Sequence, residues 1–402
     1  MKNSIASNEV DQKKTIQLYE QYVMPTYKKF PLTLKRGKGA YVWDNEGKKY
    51  LDFFPGWGVG GLGHCHPRVV KAIQKQAATF IHVANNYYHD GQATLAKELI
   101  AASFPGKVFF CNSGAEANEG AIKLVRKFGN PERNEIIAMN ESFHGRTVAT
   151  ATATGQGRIG KGFEPLPGGF THVPFNDFAA LEKAVSPKTV AIMLEPIQGE
   201  GGVRVADKAY LSAVRNLCDE KNILLIFDEV QTGMGRTGEL FCFKNFGITP
   251  DVLTLAKSLG GGFPIGAFIA GKKIADVLQP GTHGSTFAGS PLACAAALAV
   301  LGTIQKEKLL PHARAMGAYL QKQLKALGNM HSIVREVRGM GLMVGVVLGI
   351  EGKFVYEDCL KNGLLINCTQ GNVLRIMPPI TVTKKEIDTA IKILDGALTR
   401  AA

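Results

Sequence analysis

Continuous apolar runs alternate with amphipathic stretches over most of this 402-residue chain. The short apolar runs are rich in branched and aromatic side chains and are bounded by polar residues, which is typical of buried strands. They are Lys107–Cys111, Glu135–Met139, Val190–Leu194, Ile223–Phe227, Val252–Leu255 and Pro264–Ala270. Helical patterns such as Ala115–Phe128 and Asp207–Lys221 lie between them. This alternation predicts an α/β fold with a largely parallel sheet that is covered by helices.

The pattern changes near both ends of the chain. The N-terminal part mixes a helical pattern at Lys13–Tyr22 with extended pieces around a hairpin-like turn at Asp44–Gly47. Beyond residue 300 come a long amphipathic helix, a strand-like run at Gly341–Leu348 and a last helix from Lys384. We therefore expect an N-terminal segment that packs with a small C-terminal α/β domain, and a large domain between them. The expected bounds are 1–66, 67–300 and 301–402.

Composition and charge narrow the possible partners. The net charge is +13, but the basic residues occur in twos and threes and without interleaved aromatic residues, so we expect no nucleic-acid binding. Seven scattered cysteines without a C-x-x-C pair predict free thiols and a cytoplasmic location. No run is apolar enough for a membrane span, and the N-terminus lacks the apolar run of a signal peptide.

Two neighbouring strands end in polar residues of the kind that pyridoxal chemistry needs. Ile223–Phe227 leads into Asp228, and Val252–Ala256 leads into Lys257. Ligands of open α/β sheets bind beyond the carboxyl ends of the strands. There a lysine amine could form a Schiff base with a pyridoxal aldehyde, and a carboxylate could pair with the ring nitrogen. Because adjacent strand residues point to opposite faces, only one of Asp228 and Glu229 can face such a ligand.

Other predicted strand ends carry groups suited to a phosphate, an aromatic ring and a carboxylate. Ser113 is able to cap the following helix, and Gly114 allows backbone amides to approach a phosphate. Phe143 offers a flat face to an aromatic ring, and Arg146 offers a fork to a carboxylate. A plain helix cap, a core aromatic residue and a surface charge remain open as alternatives for these residues taken singly.

An ATPase is the competing interpretation of part of this pattern. Residues 155–161 fit the phosphate-binding loop of that class, and the apolar run before Asp228 resembles its magnesium-binding strand. Gly162 stands where the hydroxyl side chain that binds Mg²⁺ is required. The proline-rich stretch that follows cannot continue a helix, so we expect no ATPase.

A metal site is the competing interpretation of residues 64–66, which read His-Cys-His. They offer three possible ligands but have no partner cluster at the spacing of a zinc site. A turn followed by a helix that begins at Pro67 is the preferred interpretation, and we expect no metal.

The polar motifs occur together in the order of a known family. They are Gly63–Pro67, Asn112–Glu119, Phe143–Thr147, Glu195–Gly202, Asp228–Gly233, Lys257 with its following glycines, Gly284–Phe287, and Arg375 before Pro378 and Pro379. This ordered set closely resembles the acetylornithine aminotransferases, which are class III, fold-type-I enzymes dependent on pyridoxal 5′-phosphate (PLP). The resemblance implies the fold-type-I PLP-dependent transferase fold, with a large domain and a smaller C-terminal α/β domain.

The resemblance assigns roles around the ring of the cofactor. Lys257 would carry PLP and then move the proton between the substrate carbon and the cofactor. Asp228 would keep the ring nitrogen protonated, so that the ring absorbs carbanion charge. Gln231 would hydrogen-bond the ring hydroxyl, and Phe143 would stack on the ring.

The resemblance also implies a phosphate site that two subunits share. Gly114 and Ala115 would hold the phosphate through backbone amides, beside Ser113. Thr286 would reach the same phosphate from the neighbouring subunit. A homodimer with shared active sites follows from this arrangement.

The implied reaction transfers the δ-amino group of N2-acetyl-L-ornithine to 2-oxoglutarate, giving N-acetyl-L-glutamate 5-semialdehyde and L-glutamate in arginine biosynthesis. Arg146, with Ser285 nearby, would bind the α-carboxylate of acetylornithine and the side-chain carboxylate of glutamate. Arg375 would bind the α-carboxylate of glutamate. Glu200 would neutralise Arg375 while the other substrate is bound.

One departure from the family concerns the amino donor. Trp57 stands in a glycine-rich stretch where family members often have a small aliphatic residue. His144 replaces the Trp usual in ornithine aminotransferases, which favours an N-acylated donor. Acetyl and succinyl groups are not separated on these grounds, so succinylornithine, ornithine and 4-aminobutyrate remain alternative donors.

Overall fold

Helices and strands alternate along the chain in the computed structural model, which describes residues 12–402. The helices are α1 (Gln12–Tyr22), α2 (Pro67–Ala77), α3 (Asp90–Ala102), α4 (Gly114–Gly129), α5 (Val148–Ala153), α6 (Gly157–Gly160), α7 (Phe178–Ala184), α8 (Lys208–Lys221), α9 (Phe243–Phe246), α10 (Pro291–Lys306), α11 (Leu309–Met330), α12 (Lys353–Lys361) and α13 (Lys384–Ala401). The strands are β1 (Leu34–Lys38), β2 (Tyr41–Asp44), β3 (Lys49–Asp52), β4 (Gly106–Cys111), β5 (Glu135–Met139), β6 (Phe170–Val173), β7 (Thr189–Leu194), β8 (Ile197–Gln198), β9 (Arg204–Val205), β10 (Leu224–Asp228), β11 (Val252–Leu255), β12 (Gly266–Gly271), β13 (Val334–Met340), β14 (Met343–Leu348), β15 (Leu364–Leu365), β16 (Asn367–Thr369) and β17 (Val373–Ile376). Within residues 12–402, no helix combines the length and apolar character that a bilayer crossing requires.

A seven-stranded sheet in the order β4-β12-β11-β10-β7-β5-β6 lies at the centre of the fold. Its strands run in parallel except β12, which is antiparallel to both of its neighbours. The connection from Leu255 to Gly266 is shorter than the crossover that parallel strands need, so β12 reverses direction. The predicted largely parallel sheet is confirmed, and every predicted strand of the large domain lies in it.

β6 belongs to this sheet although the hydrophobic pattern did not reveal it. Phe170–Val173 lies at the edge of the sheet, where Thr171 is exposed and only Val173 is fully buried. An edge strand is not buried on both faces and needs no continuous apolar run. The sequence signal of so short a strand is therefore weak.

Neighbouring side chains of the central strands enter two separate hydrophobic cores. On β10, Leu224 and Ile226 belong to the core that contains Leu124 of α4. Leu225 and Phe227 belong to the other core, to which α8 contributes. The sheet is therefore covered by helices on both faces, as the continuous apolar runs predicted. Each large apolar side chain so buried stabilises the fold by about 1.5–3 kcal/mol, and together they fix the ends of the strands.

Three smaller sheets complete the fold of residues 12–402: β1-β2-β3-β15, β13-β14-β17-β16 and the two-stranded β8-β9. Leu51 of β3 lies opposite Leu364 of β15, so strands from near both ends of the chain share one sheet. α10 runs through residue 300 without a break. The division at 1–66, 67–300 and 301–402 stays a prediction, and residues 1–11 of its first part lie outside the described residues.

The two competing motifs have ordinary structural surroundings. Residues 155–161 contain the single-turn helix α6, whereas a phosphate-binding loop opens a long helix. Pro67 begins α2, as predicted, and His66 precedes it as the N-cap residue. The His64 Nε2 atom lies 2.8 Å from a carboxylate oxygen of Asp52. His64 thus has a side-chain partner within the protein.

Candidate active site

The pairing of β10 with β11 brings Asp228 and Lys257 to the same edge of the central sheet. The two strands are adjacent and parallel, with Asp228 opposite Thr254. Lys257 follows β11 and begins a 3-10 turn over Lys257–Gly260, with a left-handed φ of 46°. The turn ends the strand and leaves the lysine at the carboxyl end of the sheet, where ligands of open α/β folds bind.

Asp228 is held by three hydrogen-bond donors in a buried position. Asn118 Nδ2 and His144 Nδ1 lie 2.7 and 2.8 Å from its Oδ2 atom, and the Val230 amide donates to Oδ1 at 3.0 Å. Glu229 points the other way and accepts from backbone amides, including that of Phe243 at 2.7 Å. The expectation that only one of the two acids faces the site agrees with these partners. The donors stabilise a charged, fixed Asp228 carboxylate.

The environment of Lys257 lowers the pKa of its amine. Burial lowers the pKa of the Lys257 amine because the charged form loses hydration, and the guanidinium of Arg375 lowers it further. The carboxylates of Glu200 and Asp228 oppose this shift but do not cancel it. A lowered pKa increases the fraction of free amine, which is the form that attacks a carbonyl.

The N-terminus of α4 lies near Asp228, which Asn118 of the same helix contacts at 2.7 Å. Ser113 is the N-cap, and its Oγ accepts from the Glu116 amide at 3.2 Å. A Cβ atom on Gly114 would lie 2.7 Å from a methyl carbon of Val230, so only glycine allows this close packing against the β10 loop. Free amides and the helix dipole attract a phosphate at such a terminus.

Phe143 and Arg146 follow β5 on one loop. The Phe143 amide donates to Glu195 Oε1 at 2.9 Å, which fixes the loop to the end of β7. Burial raises the pKa of Glu195 to about 7, while His144 opposes the shift. Arg146 is exposed, with its guanidinium carbon 5.5 Å from the centre of the Phe143 ring. The loop therefore presents a ring and a cation from one anchored segment.

An ion pair between Glu200 and Arg375 lies close to Lys257. Arg375 NH1 donates to Glu200 Oε1 at 2.7 Å and to Gln231 Oε1 at 3.2 Å. Arg375 is fully buried, whereas the Glu200 side chain is 27% exposed. Burial would raise the pKa of Glu200, but Arg375 outweighs burial and the pKa is lowered. Glu200 is therefore ionised at neutral pH, and the pair is intact.

Ser285 and Thr286 occupy a different place from the lysine and the ion pair. Asn112 Nδ2 donates to Ser285 Oγ at 3.0 Å, and Ser285 Oγ donates to Glu116 at 3.4 Å. Thr286 is exposed beside it. Within one chain, Ser285 thus contacts the start of α4, while Arg146 and Thr286 remain on the exposed surface.

Three residues of the site were not identified from the sequence: Asn118, His144 as a partner of Asp228, and Glu195 as an anchor. Each is a single polar residue in a helix or loop, distant in sequence from the group that it contacts. The available signals were the place of the three residues in the motifs at 112–119, 143–147 and 195–202, and the position of Glu195 directly after a predicted strand.

Comparison with known proteins decides the family. Residues 22–398 match the model of the family described as aminotransferase class-III. The chain belongs to this family. The acetylornithine aminotransferase of Methanocaldococcus jannaschii is 51% identical over 97% of this chain and 99% of its own length.

Solved structures of class-III aminotransferases share the fold. The ornithine aminotransferase of Toxoplasma gondii has a TM-score of 0.94 at 35% identity, covering 97% of this chain and 95% of that one. The N-acetylornithine aminotransferase of Stenotrophomonas maltophilia has a TM-score of 0.83 at 37% identity, covering 96% and 99%. The predicted fold-type-I architecture is confirmed.

Class-III aminotransferases use PLP, and this site fits that cofactor. PLP supplies an aldehyde that takes up an amine and a ring that accepts electrons. The Lys257 amine, the Asp228 carboxylate and the amides of α4 suit its aldehyde, ring nitrogen and phosphate. A Cβ atom on Gly199 would lie 1.8 Å from Gln231 Oε1, so glycine there makes room for the Gln231 side chain. The protein is a PLP-dependent aminotransferase.

Proposed function

We propose that this aminotransferase moves the δ-amino group of N2-acetyl-L-ornithine to 2-oxoglutarate, giving N-acetyl-L-glutamate 5-semialdehyde and L-glutamate for arginine biosynthesis. The relative that is 51% identical bears the name of this activity. The carrying observation is the ion pair between Glu200 and Arg375 beside Lys257. The same lysine has to act on the δ-amine of acetylornithine and on the α-amine of glutamate. Only glutamate carries a carboxylate on the carbon that bears the reacting amine. An arginine whose charge is neutralised reversibly can bind the α-carboxylate of glutamate and be paired with Glu200 while acetylornithine reacts.

Lys257 and Asp228 perform the proton and charge chemistry in this proposal. Lys257 would hold PLP through its amine and would move the proton at the reacting carbon of the substrate. The lowered pKa of Lys257 leaves neutral amine available to accept that proton. Asp228 remains ionised against the ring nitrogen, and Asn118 and His144 keep its Oδ2 atom in position.

The remaining cofactor contacts come from the anchored loops. Gly114 and Ala115 hold the phosphate through their amides, with Ser113 as the cap of the same helix. Phe143 stacks on the ring. Gln231 donates to the ring hydroxyl in place of its 3.3 Å hydrogen bond to a backbone oxygen.

The two substrates use two arginines. The exposed Arg146 binds the α-carboxylate of the acylornithine and the side-chain carboxylate of glutamate, with Ser285 nearby. Arg375 binds the α-carboxylate of glutamate. Glu200 neutralises Arg375 while the acylornithine is bound and rotates away when glutamate enters.

The active enzyme in this proposal is a cytoplasmic homodimer with shared sites. Thr286 contacts the phosphate bound by the partner subunit. Phe287, next to Thr286, is an exposed large apolar side chain that contacts His82, and exposed apolar surface of this kind often marks interfaces. The seven cysteines are free thiols, which fits a reducing compartment.

A panel of four amino donors tests the substrate. We expect the highest kcat/KM with acetylornithine, and lower values with succinylornithine, ornithine and 4-aminobutyrate, each at saturating 2-oxoglutarate. Trp57 is 48% exposed and packs on Tyr27 and on Phe54, whose ring lies 4.6 Å from the guanidinium carbon of Arg375. A preference for free ornithine would refute the acyl assignment.

Glu200→Ala tests the neutralised arginine. We expect kcat/KM for acetylornithine to fall by roughly 10- to 150-fold, since a charge-assisted hydrogen bond contributes about 1.5–3 kcal/mol. The value for 2-oxoglutarate should stay within about threefold, because that substrate replaces Glu200 on Arg375. Single-turnover rates of the two half-reactions measure this difference.

Glu239→Ala is the matched control, because Glu239 forms a 2.7 Å ion pair with Arg314 away from the site. It should change neither half-reaction. If Glu200→Ala left both half-reactions unchanged as well, the role of Glu200 would have to be abandoned.

A further inference from the structure

The short strand β16 contacts both members of the ion pair. Asn367 lies opposite Arg375 in the sheet, and its Oδ1 accepts from Arg375 NH2 at 2.9 Å. Thr369 Oγ1 donates to the backbone oxygen of Glu200 at 2.6 Å. Residues two apart on a strand point to the same face, so one face of β16 carries both contacts. The strand sets the position of one charged residue relative to the other.

The backbone of Glu200 is held firmly on this side. Gln370 Nε2 also donates to the Glu200 oxygen, at 2.9 Å. Arg338 donates twice to the backbone oxygen of Gly202, at 3.0 and 2.8 Å. Thr369 is buried, whereas Gln370 is exposed, so the hydroxyl of Thr369 is better shielded from water. These contacts fix the turn at 200–202, while the Glu200 side chain is partly exposed.

We propose that Thr369 is a specificity-determining positioning residue, which fixes the Glu200 backbone so that its carboxylate covers Arg375 during the acylornithine half-reaction. This inference rests on the proposed function, since it concerns the residue that separates the two substrates. Thr369 contacts neither substrate nor cofactor and acts through Glu200.

The acylornithine half-reaction depends on the contact between Thr369 and Glu200, because an Arg375 that is not paired with Glu200 would bind the α-carboxylate of the acylornithine. A free guanidinium beside Lys257 attracts the α-carboxylate of the acylornithine. The acylated α-nitrogen would then lie at Lys257, and the δ-amine would lie away from it. Such binding is unproductive. 2-Oxoglutarate places its α-carboxylate on Arg375 in the productive orientation and needs the pair to be open.

Thr369→Val removes the hydroxyl but retains the shape of the side chain. We expect kcat/KM for acetylornithine to fall about 5-fold, which corresponds to one net hydrogen bond, with kcat/KM for 2-oxoglutarate unchanged or higher. Thr369→Ser keeps the hydroxyl donor and should therefore keep the wild-type ratio of kcat/KM for acetylornithine to kcat/KM for 2-oxoglutarate. Gln370→Met, which removes the exposed donor, should shift the ratio in the same direction by a smaller factor.

Thr303→Val is the matched control, because the buried Thr303 hydroxyl donates only within its own helix, to Ala299 at 2.7 Å. It should leave the ratio unchanged, and thermal unfolding of each variant reports its effect on folding. Equal losses in both half-reactions of Thr369→Val, or none in either, would overturn the positioning role. Failure of the proposed function is seen separately, as a wild-type enzyme that does not accept acetylornithine while its glutamate half-reaction proceeds.

Discussion

Lys257→Ala is expected to reduce transamination by at least about 10³-fold, because proton transfer by a positioned side chain contributes typically 10²- to 10⁴-fold and no other amine of the site is placed to replace it. Lys257 lies at the carboxyl edge of β11, among the carboxylates of Glu200 and Asp228. Burial lowers its pKa, so this amine is prepared both to bind a carbonyl and to accept a proton. Rapid mixing of the PLP-loaded variant with acetylornithine measures the rate.

The phosphate site and Asp228 remain in Lys257→Ala, so the variant should still bind PLP without a covalent bond. Dialysis followed by absorbance measures this retention, and sodium borohydride should no longer fix the cofactor to the protein. Lys107→Ala is the control, since Lys107 is an exposed lysine paired with Asp276. Substantial turnover by Lys257→Ala would contradict the assignment, as would borohydride fixation at another residue.

The fold and the common location of Asp228 and Lys257 were predictable because they follow from patterns along the chain. A buried parallel strand needs a continuous apolar run, and polar residues after such runs mark the ligand edge of the sheet. Asp228 and Lys257 satisfied both conditions, and the adjacency of β10 and β11 then confirmed their common location. The assignment of an anion site to Ser113 and Gly114 rested on the same reasoning.

The supporting contacts were not predictable because no pattern encodes them. Asn118 contacts Asp228 across 110 positions, and β16 contacts Glu200 across more than 160. Such pairs depend on how distant segments pack, and a single polar residue in a helix has many possible partners. Ser285 illustrates the same limit, since its contacts in the chain are with Asn112 and Glu116. The periodicity of apolar residues predicts helices and strands, whereas the hydrogen-bond partners of these side chains depend on tertiary packing.

Asp228→Asn is expected to lower kcat by roughly 100- to 3000-fold, because losing one partner of a buried charge pair costs about 3–5 kcal/mol. The amide has the shape of the carboxylate but cannot keep a ring nitrogen protonated. It also brings an N–H or a weaker acceptor toward Asn118 and His144, which both donate to Oδ2 in the native protein. Single-turnover rates with both substrates measure the loss, which should affect both half-reactions alike because the same ring serves each.

Glu229→Gln is the matched control for Asp228→Asn, because it makes the same chemical change at the next residue, on the opposite face of the strand. Burial raises the pKa of Glu229 to about 8. Both of its oxygens accept from backbone amides, of Cys242 and Phe243, so the variant loses one hydrogen bond but alters no group that faces Lys257. Turnover by Glu229→Gln should therefore stay within about threefold of the wild type. Equal losses in the two variants would show that Asp228 acts by maintaining the local fold. A large loss of turnover in Asp228→Asn alone, at an unchanged midpoint of thermal unfolding, would show that the negative charge of Asp228 is required for catalysis.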